Sequence, residues 1–146
     1  MNKKLFNSMN KYLANTAVLY IKLHNLHWNV SGMQFKAVHE YLEALYDGIT
    51  ENMDAIAELM RMNGESPAAS MSEYLKLTSV EELPSKKVAN KDALSITLED
   101  LEALDKEAKA IRAAADEEDA FDIVMMMEDH CAAFQKTIWF ISSILE

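Results

Sequence analysis

The chain has few of the residues that make turns. Three Gly and two Pro in 146 residues are too few for a sandwich or barrel of many short strands. With half of its residues hydrophobic, it is too apolar to be a disordered polymer. A single cysteine, Cys131, excludes an internal disulfide framework and suits a reducing compartment. There is no long apolar run either. Lys3 and Lys4 imitate the start of a signal peptide, but Asn7, Ser8, Asn10 and Lys11 follow where its apolar stretch belongs. Ala17 to Ile21 is far too short to cross a bilayer. These absences lead us to expect a soluble, cytoplasmic protein without a membrane partner.

Negative charge is missing from one part of the chain only. Residues 1–39 carry five lysines and no acid, so residues 40–146 hold the other nine bases and all 24 acids. The whole chain has a net charge of −10. Such a surplus of acid makes a poor non-specific binder of nucleic acid, because phosphate binding runs on Lys and Arg.

What is abundant is Ala, Leu and Met, and these are helix formers. Four stripes with the 3.5–3.6 period predict four long helices. The first runs through Leu5, Met9, Tyr12, Thr16, Leu19, Leu23 and Leu26. The second runs through Phe35, Val38, Leu42, Leu45, Ile49, Ile56 and Leu59. The third takes Leu94, Leu98, Leu101, Leu104, Ala108 and Ile111, and the fourth Val124, Met127, Cys131, Phe134, Ile138, Ile141 and Leu145. Ser31-Gly32 ends the first and leaves a short turn, so helices one and two are antiparallel neighbours. Gly64, Ser66 and Pro67 end the second. The stretch from there to Asn90 is too long for a bare loop. Within it, Ser70-Met71-Ser72-Glu73 reads as a capping box that starts a short helix. Asn90 is the expected N-cap of the third long helix, and Ala114 to Asp119 the turn into the fourth. Two helices, a long crossover with a short helix, and two more helices make an all-α, ferritin-like four-helix bundle. Residues 1–146 are expected to form one such domain without tails.

Bundles of this kind usually hold two metals inside one subunit, with two Glu-x-x-His motifs among the ligands. That motif is absent: Ile21, His24, Lys36 and Met127 stand three residues before His24, His27, His39 and His130. The second helix offers another arrangement. His39 and Glu43 are spaced i,i+4, as are Asp54 and Glu58, so each pair shares a face. The pairs lie about 22 Å apart along the axis, too far for one chain to join both to one metal. Two antiparallel copies of the helix bring them together. Positions 39 and 58 share the midpoint 48.5 with positions 43 and 54. A two-fold axis there sets His39 against the partner's Glu58, and Glu43 against the partner's Asp54, making two equivalent sites. Gly48 lies beside the axis and lets two helices approach. His27, at the end of the first helix, reaches the same cluster through the short turn. Imidazole with carboxylates suits iron. Taken alone, polar pairs at this spacing are more often a solvated face, and the shared midpoint is what raises the metal reading. His24 is read as a packing residue, and His130, beside Glu128 and Asp129, as a polar edge of the last helix.

The same residues carry a resemblance. His27-Trp28-Asn29-Val30-Ser31-Gly32, Phe35, His39-Glu40, Glu43, Leu45-Tyr46-Asp47 and Asp54-Ala55-Ile56-Ala57-Glu58 look like the signature of the Dps family, the mini-ferritins of bacteria and archaea. The resemblance is dense over residues 24–64 and looser elsewhere. It implies a hollow dodecamer with ferroxidase centres at two-fold interfaces. In these centres His27, His39 and Glu43 come from one subunit, Asp54 and Glu58 from its partner. The implied chemistry is oxidation of Fe(II), with hydrogen peroxide as oxidant, and storage of ferric mineral inside, which makes iron the metal handled. The family's Ala-Glu-Arg segment is altered here, with Leu59 in place of its arginine and Arg61 facing elsewhere. Met125 to Met127 have no counterpart expected from the family and read as core packing. Trp28 and Trp139 are also read as packing residues, Trp28 next to the site. The resemblance favours a three-fold pore near the acidic turn, with Asp119 and Asp122 as candidate pore residues; the helix dipole explains part of that cluster without any pore. Two other readings stay open: a DNA-compacting protein of the same fold that binds through its basic first helix, and an unmetallated helical scaffold. DNA binding is not expected, since a basic tail is absent.

Overall fold

The computed structural model describes all 146 residues. Helix α1 spans Lys3–Asn29, α2 Phe35–Met62, the short α3 Met71–Leu77, α4 Asn90–Glu117 and α5 Phe121–Leu145. The helices pair as α1 with α2 and α4 with α5, and α1 joins the two hairpins through α4. The periodic stripes account for the burial. Leu5, Met9, Tyr12, Thr16, Leu19, Leu23 and Leu26 of α1 are all inside, and one core of 29 hydrophobic residues draws on every helix. Ser70 caps the short helix as expected, accepting from the Glu73 N–H at 3.4 Å, but the return bond to the Glu73 carboxylate, at 2.8 Å, comes from its hydroxyl. No helix is long and apolar enough to cross a membrane.

Polar pins cross the core where the two hairpins meet. Asn15 is fully buried and uses its whole amide. It donates to Glu107 at 2.6 Å and Ser79 at 3.2 Å, and accepts from the Thr78 hydroxyl at 2.7 Å and the Ser79 N–H at 2.8 Å. A single side chain of α1 thus holds both the crossover and α4. Lys22 and Asp100 form a second pin at 2.7 Å.

Several expectations change. His130 is no polar edge: it is buried and shares a 2.9 Å hydrogen bond with the Tyr12 hydroxyl. Its position seven residues after Ile123 and four before Phe134, both buried, puts it on the inner face. Asn90 does not cap α4. Ala89 holds the cap position, and the Asn90 side chain serves the α1–α2 turn. Helix α4 runs on through Ala114 to Glu117, because alanines favour continuing it. Asp119, at φ 57°, then takes the left-handed conformation that turns the chain. Of the three methionines only Met127 is fully inside and Met125 is 64% exposed, since successive helix residues point about 100° apart. Trp28 and Trp139 do not pack in the core; they are 69% and 65% exposed. A two-residue parallel ladder, β1 Val30–Ser31 with β2 Val88–Ala89, adds a contact too short to leave a periodic signal.

Candidate metal centre

His27 ends α1 and His39 lies in the second turn of α2, and the turn between the helices brings the rings face to face. Their centroids are 3.7 Å apart with planes at 11°. Each Nδ1 lies 2.7 Å from the other residue's backbone carbonyl. The His27 carbonyl is one of the last in its helix, which have no intrahelical partner. A carbonyl only accepts, so each Nδ1 carries the proton. In the neutral rings both Nε2 atoms therefore keep a free lone pair, the form in which imidazole binds a metal. His27 is buried and His39 half-buried.

Glu43 brings charge to this pair. Its carboxylate is 3.8 Å from His27 Nε2. Tyr46, one turn further, donates to the same carboxylate oxygen at 3.4 Å and sets its ring edge against His27, centroids 5.3 Å apart. Burial first, then the charges of Glu43 and Asp47, push the Tyr46 phenol upward, so it stays a donor at neutral pH. Behind it, His24 stacks on the Tyr46 ring at 3.7 Å and is tied to the Tyr20 carbonyl at 2.8 Å. His24 is thus a packing residue, as expected. The sequence places Tyr46 in the family signature but not in the site; its i,i+3 spacing to Glu43 is the signal for that contact.

Asp54 and Glu58 stand apart from this group on the same helix. Glu43, Asp47, Glu51, Asp54 and Glu58 are all exposed and fall within about 80° of one another around α2. Gly48 is exposed beside them, with nothing within 4 Å of where a Cβ would stand. No three metal-binding side chains of one chain are close enough to hold an ion. A single subunit thus offers two half-sets, His27, His39 and Glu43 on one hand and Asp54 and Glu58 on the other. Leu59 is in the core, while exposed Arg61 reaches Ser66 at 2.9 Å, so neither lies on the acidic stripe.

The candidate pore residues sit at the α4–α5 turn. Asp122 accepts from the Asn63 amide at 3.0 Å and stands in the first turn of α5, where the helix dipole favours an acid. Asp119 is exposed.

A family model described as a ferritin-like domain matches residues 6–146. The chain is 35% identical over 142 residues to the DNA protection during starvation protein of Helicobacter pylori, covering 97% of this chain and 99% of the relative. The crystal structure of antigen TpF1 from Treponema pallidum is similar at a TM-score of 0.96 and 34% identity, over 98% of this chain and 92% of that one. That of a Dps protein from Bacillus brevis gives 0.93 at 32% identity, with both chains covered completely.

Proposed function

The chain belongs to the Dps family of ferritin-like proteins, and from that premise we propose that it is an iron-storing, iron-detoxifying ferroxidase of the cytoplasm. Fe(II) is its substrate and hydrogen peroxide the oxidant. Each of two Fe(II) ions gives up one electron, the O–O bond of the peroxide breaks, and its oxygens leave as water after taking up protons. The ferric product is stored as mineral in a hollow dodecamer.

The observation that carries this reading is the reciprocally bonded His27–His39 pair. Its two Nδ1 atoms are committed to carbonyls, so both Nε2 lone pairs are free for Fe(II), and Glu43 stands beside His27. In the proposed assembly the partner's Asp54 and the partner's Glu58 complete each centre. The exposed acidic stripe and the open position at Gly48 support that pairing. Carboxylates lower the cost of the added positive charge as Fe(II) becomes Fe(III), and imidazoles set the geometry.

Rapid Fe(II) oxidation by peroxide is the expected behaviour of the assembled protein. His39→Ala or Asp54→Ala alone lowers the rate at least about tenfold, as losses around a metal site do. Native rates in both variants contradict the assignment. Iron is proposed to enter past Asp119 and Asp122, because acidic rings at symmetry axes steer cations. With both replaced by Asn, uptake slows and loses its sensitivity to ionic strength while the shell stays intact; unchanged uptake means another route.

The relative from Helicobacter pylori is named for DNA protection. For this chain, whose net charge is −10, protection by consuming iron and peroxide fits better than coating DNA. A gel shift that persists at physiological salt favours coating through the basic first helix.

A further inference from the structure

The α1–α2 turn is held from a distant part of the chain. Val30–Ser31 pairs with Val88–Ala89, and the next residue, Asn90, closes over the turn. Its side-chain oxygen accepts the Gln34 N–H at 3.0 Å, directly ahead of α2. Gly32, at φ +128°, passes so close that a Cβ there would run into the same oxygen. The Asn90 amide nitrogen is buried without a partner, so this side chain serves the turn through its oxygen alone. Asn90 is itself the first residue of α4, a 28-residue helix, which anchors the lock in a rigid element.

The turn sets the site. Only Val30 to Gln34 separate α1 from α2. His27 and His39 flank it, and each must reach the other's carbonyl at 2.7 Å. A small shift of α2 against α1 breaks both bonds together, because they are reciprocal. The rings then lose the tautomer and the parallel setting that leave Nε2 free.

We propose that Asn90 is a positioning residue for the His27–His39 pair, the oxygen at the end of the crossover locking the Gly32–Gln34 turn on which the pair depends. The inference rests on reading that pair as metal ligands. It is tested on the assembled protein with Co(II) as probe, by visible absorption, and by hydrogen exchange of residues 30–36. Asn90→Ala is expected to weaken Co(II) binding about 10- to 100-fold and to speed exchange in the turn. Asn90→Asp keeps the oxygen and restores both. If the alanine variant does not assemble, Asn90→Ser makes the same test, its side chain being too short to hold Gln34. Native Co(II) affinity in the variant lacking the oxygen overturns the inference, as does an equal loss with Asp. His27→Ala separates the two levels. If it loses Co(II) while Asn90→Ala does not, only the positioning role fails; if it binds Co(II) like the native protein, the metal reading fails with it.

Discussion

His130 shows how much a single buried group sets. Its imidazole is held down to about 4 from its ordinary 6.5, chiefly by burial, with the Asp129 charge pulling the other way. The unfolded chain takes up a proton below 6.5, the folded chain only below about 4. The stability due to the neutral ring is therefore complete above the upper value and falls as pH drops toward the lower one. The gap corresponds to about 3 kcal/mol per subunit. Unfolding followed at fixed protein concentration should show this loss between neutral and mildly acid pH, and His130→Gln should flatten it. An unchanged slope in the variant would place the acid sensitivity elsewhere. The acids Glu128 and Asp129 suggested a polar edge, but the signal for burial was the spacing of His130 to Met127 and Phe134, three before and four after it on the apolar stripe. The partner, Tyr12, is 118 residues away. The same distance hid the use of Asn90: a residue suited to capping its own helix meets a stronger demand from the unpaired Gln34 N–H.

The long helices were legible because each repeats its apolar stripe over five turns or more, and the capping box marked the short one. Boundaries were less so, where Ala-rich sequence lets α4 continue past the expected turn. The ladder of Val30–Ser31 with Val88–Ala89 is too short for any period. The crossover is held in part by Asn15, together with Asn10 and Asn25, and the sequence context of Asn15, Leu13-Ala14-Asn15-Thr16, gives no sign of it. Asn15→Ala removes a partner from half-buried Glu107 and Thr78 and from the Ser79 N–H, while the Thr78 hydroxyl keeps the Val80 N–H. The expected cost is about 1–3 kcal/mol, with faster hydrogen exchange at Ser79 and Val80 than in α1. A cost under about 0.5 kcal/mol, the range of ordinary surface substitutions, would mean that the crossover is held without Asn15, by its apolar contacts and by Asn10 and Asn25. Of the candidate site, the His27–His39–Glu43 side was legible from i,i+4 spacing and the short turn. The Tyr46 and Asn90 contributions were not, because Tyr46 acts through Glu43 and Asn90 meets the turn from 56 residues away.

At the scale of the whole molecule, charge and apolar surface are placed for company. The acidic stripe of α2 lies open in the single chain, and so do Trp28 and Trp139, which a sequence reading assigns to packing. One subunit brings no three metal-binding side chains together. In the proposed assembly two chains complete each other about a two-fold axis near Gly48. The most direct test mixes a His27→Ala/His39→Ala chain with an Asp54→Ala/Glu58→Ala chain during assembly. An interface between the two mutants then holds one site in which only Glu43 is left and one with every ligand intact. Fe(II) oxidation by peroxide that is absent from either mutant alone and returns in the mixed shells is the predicted result. Mixed shells of verified composition that stay inactive would contradict a shared site.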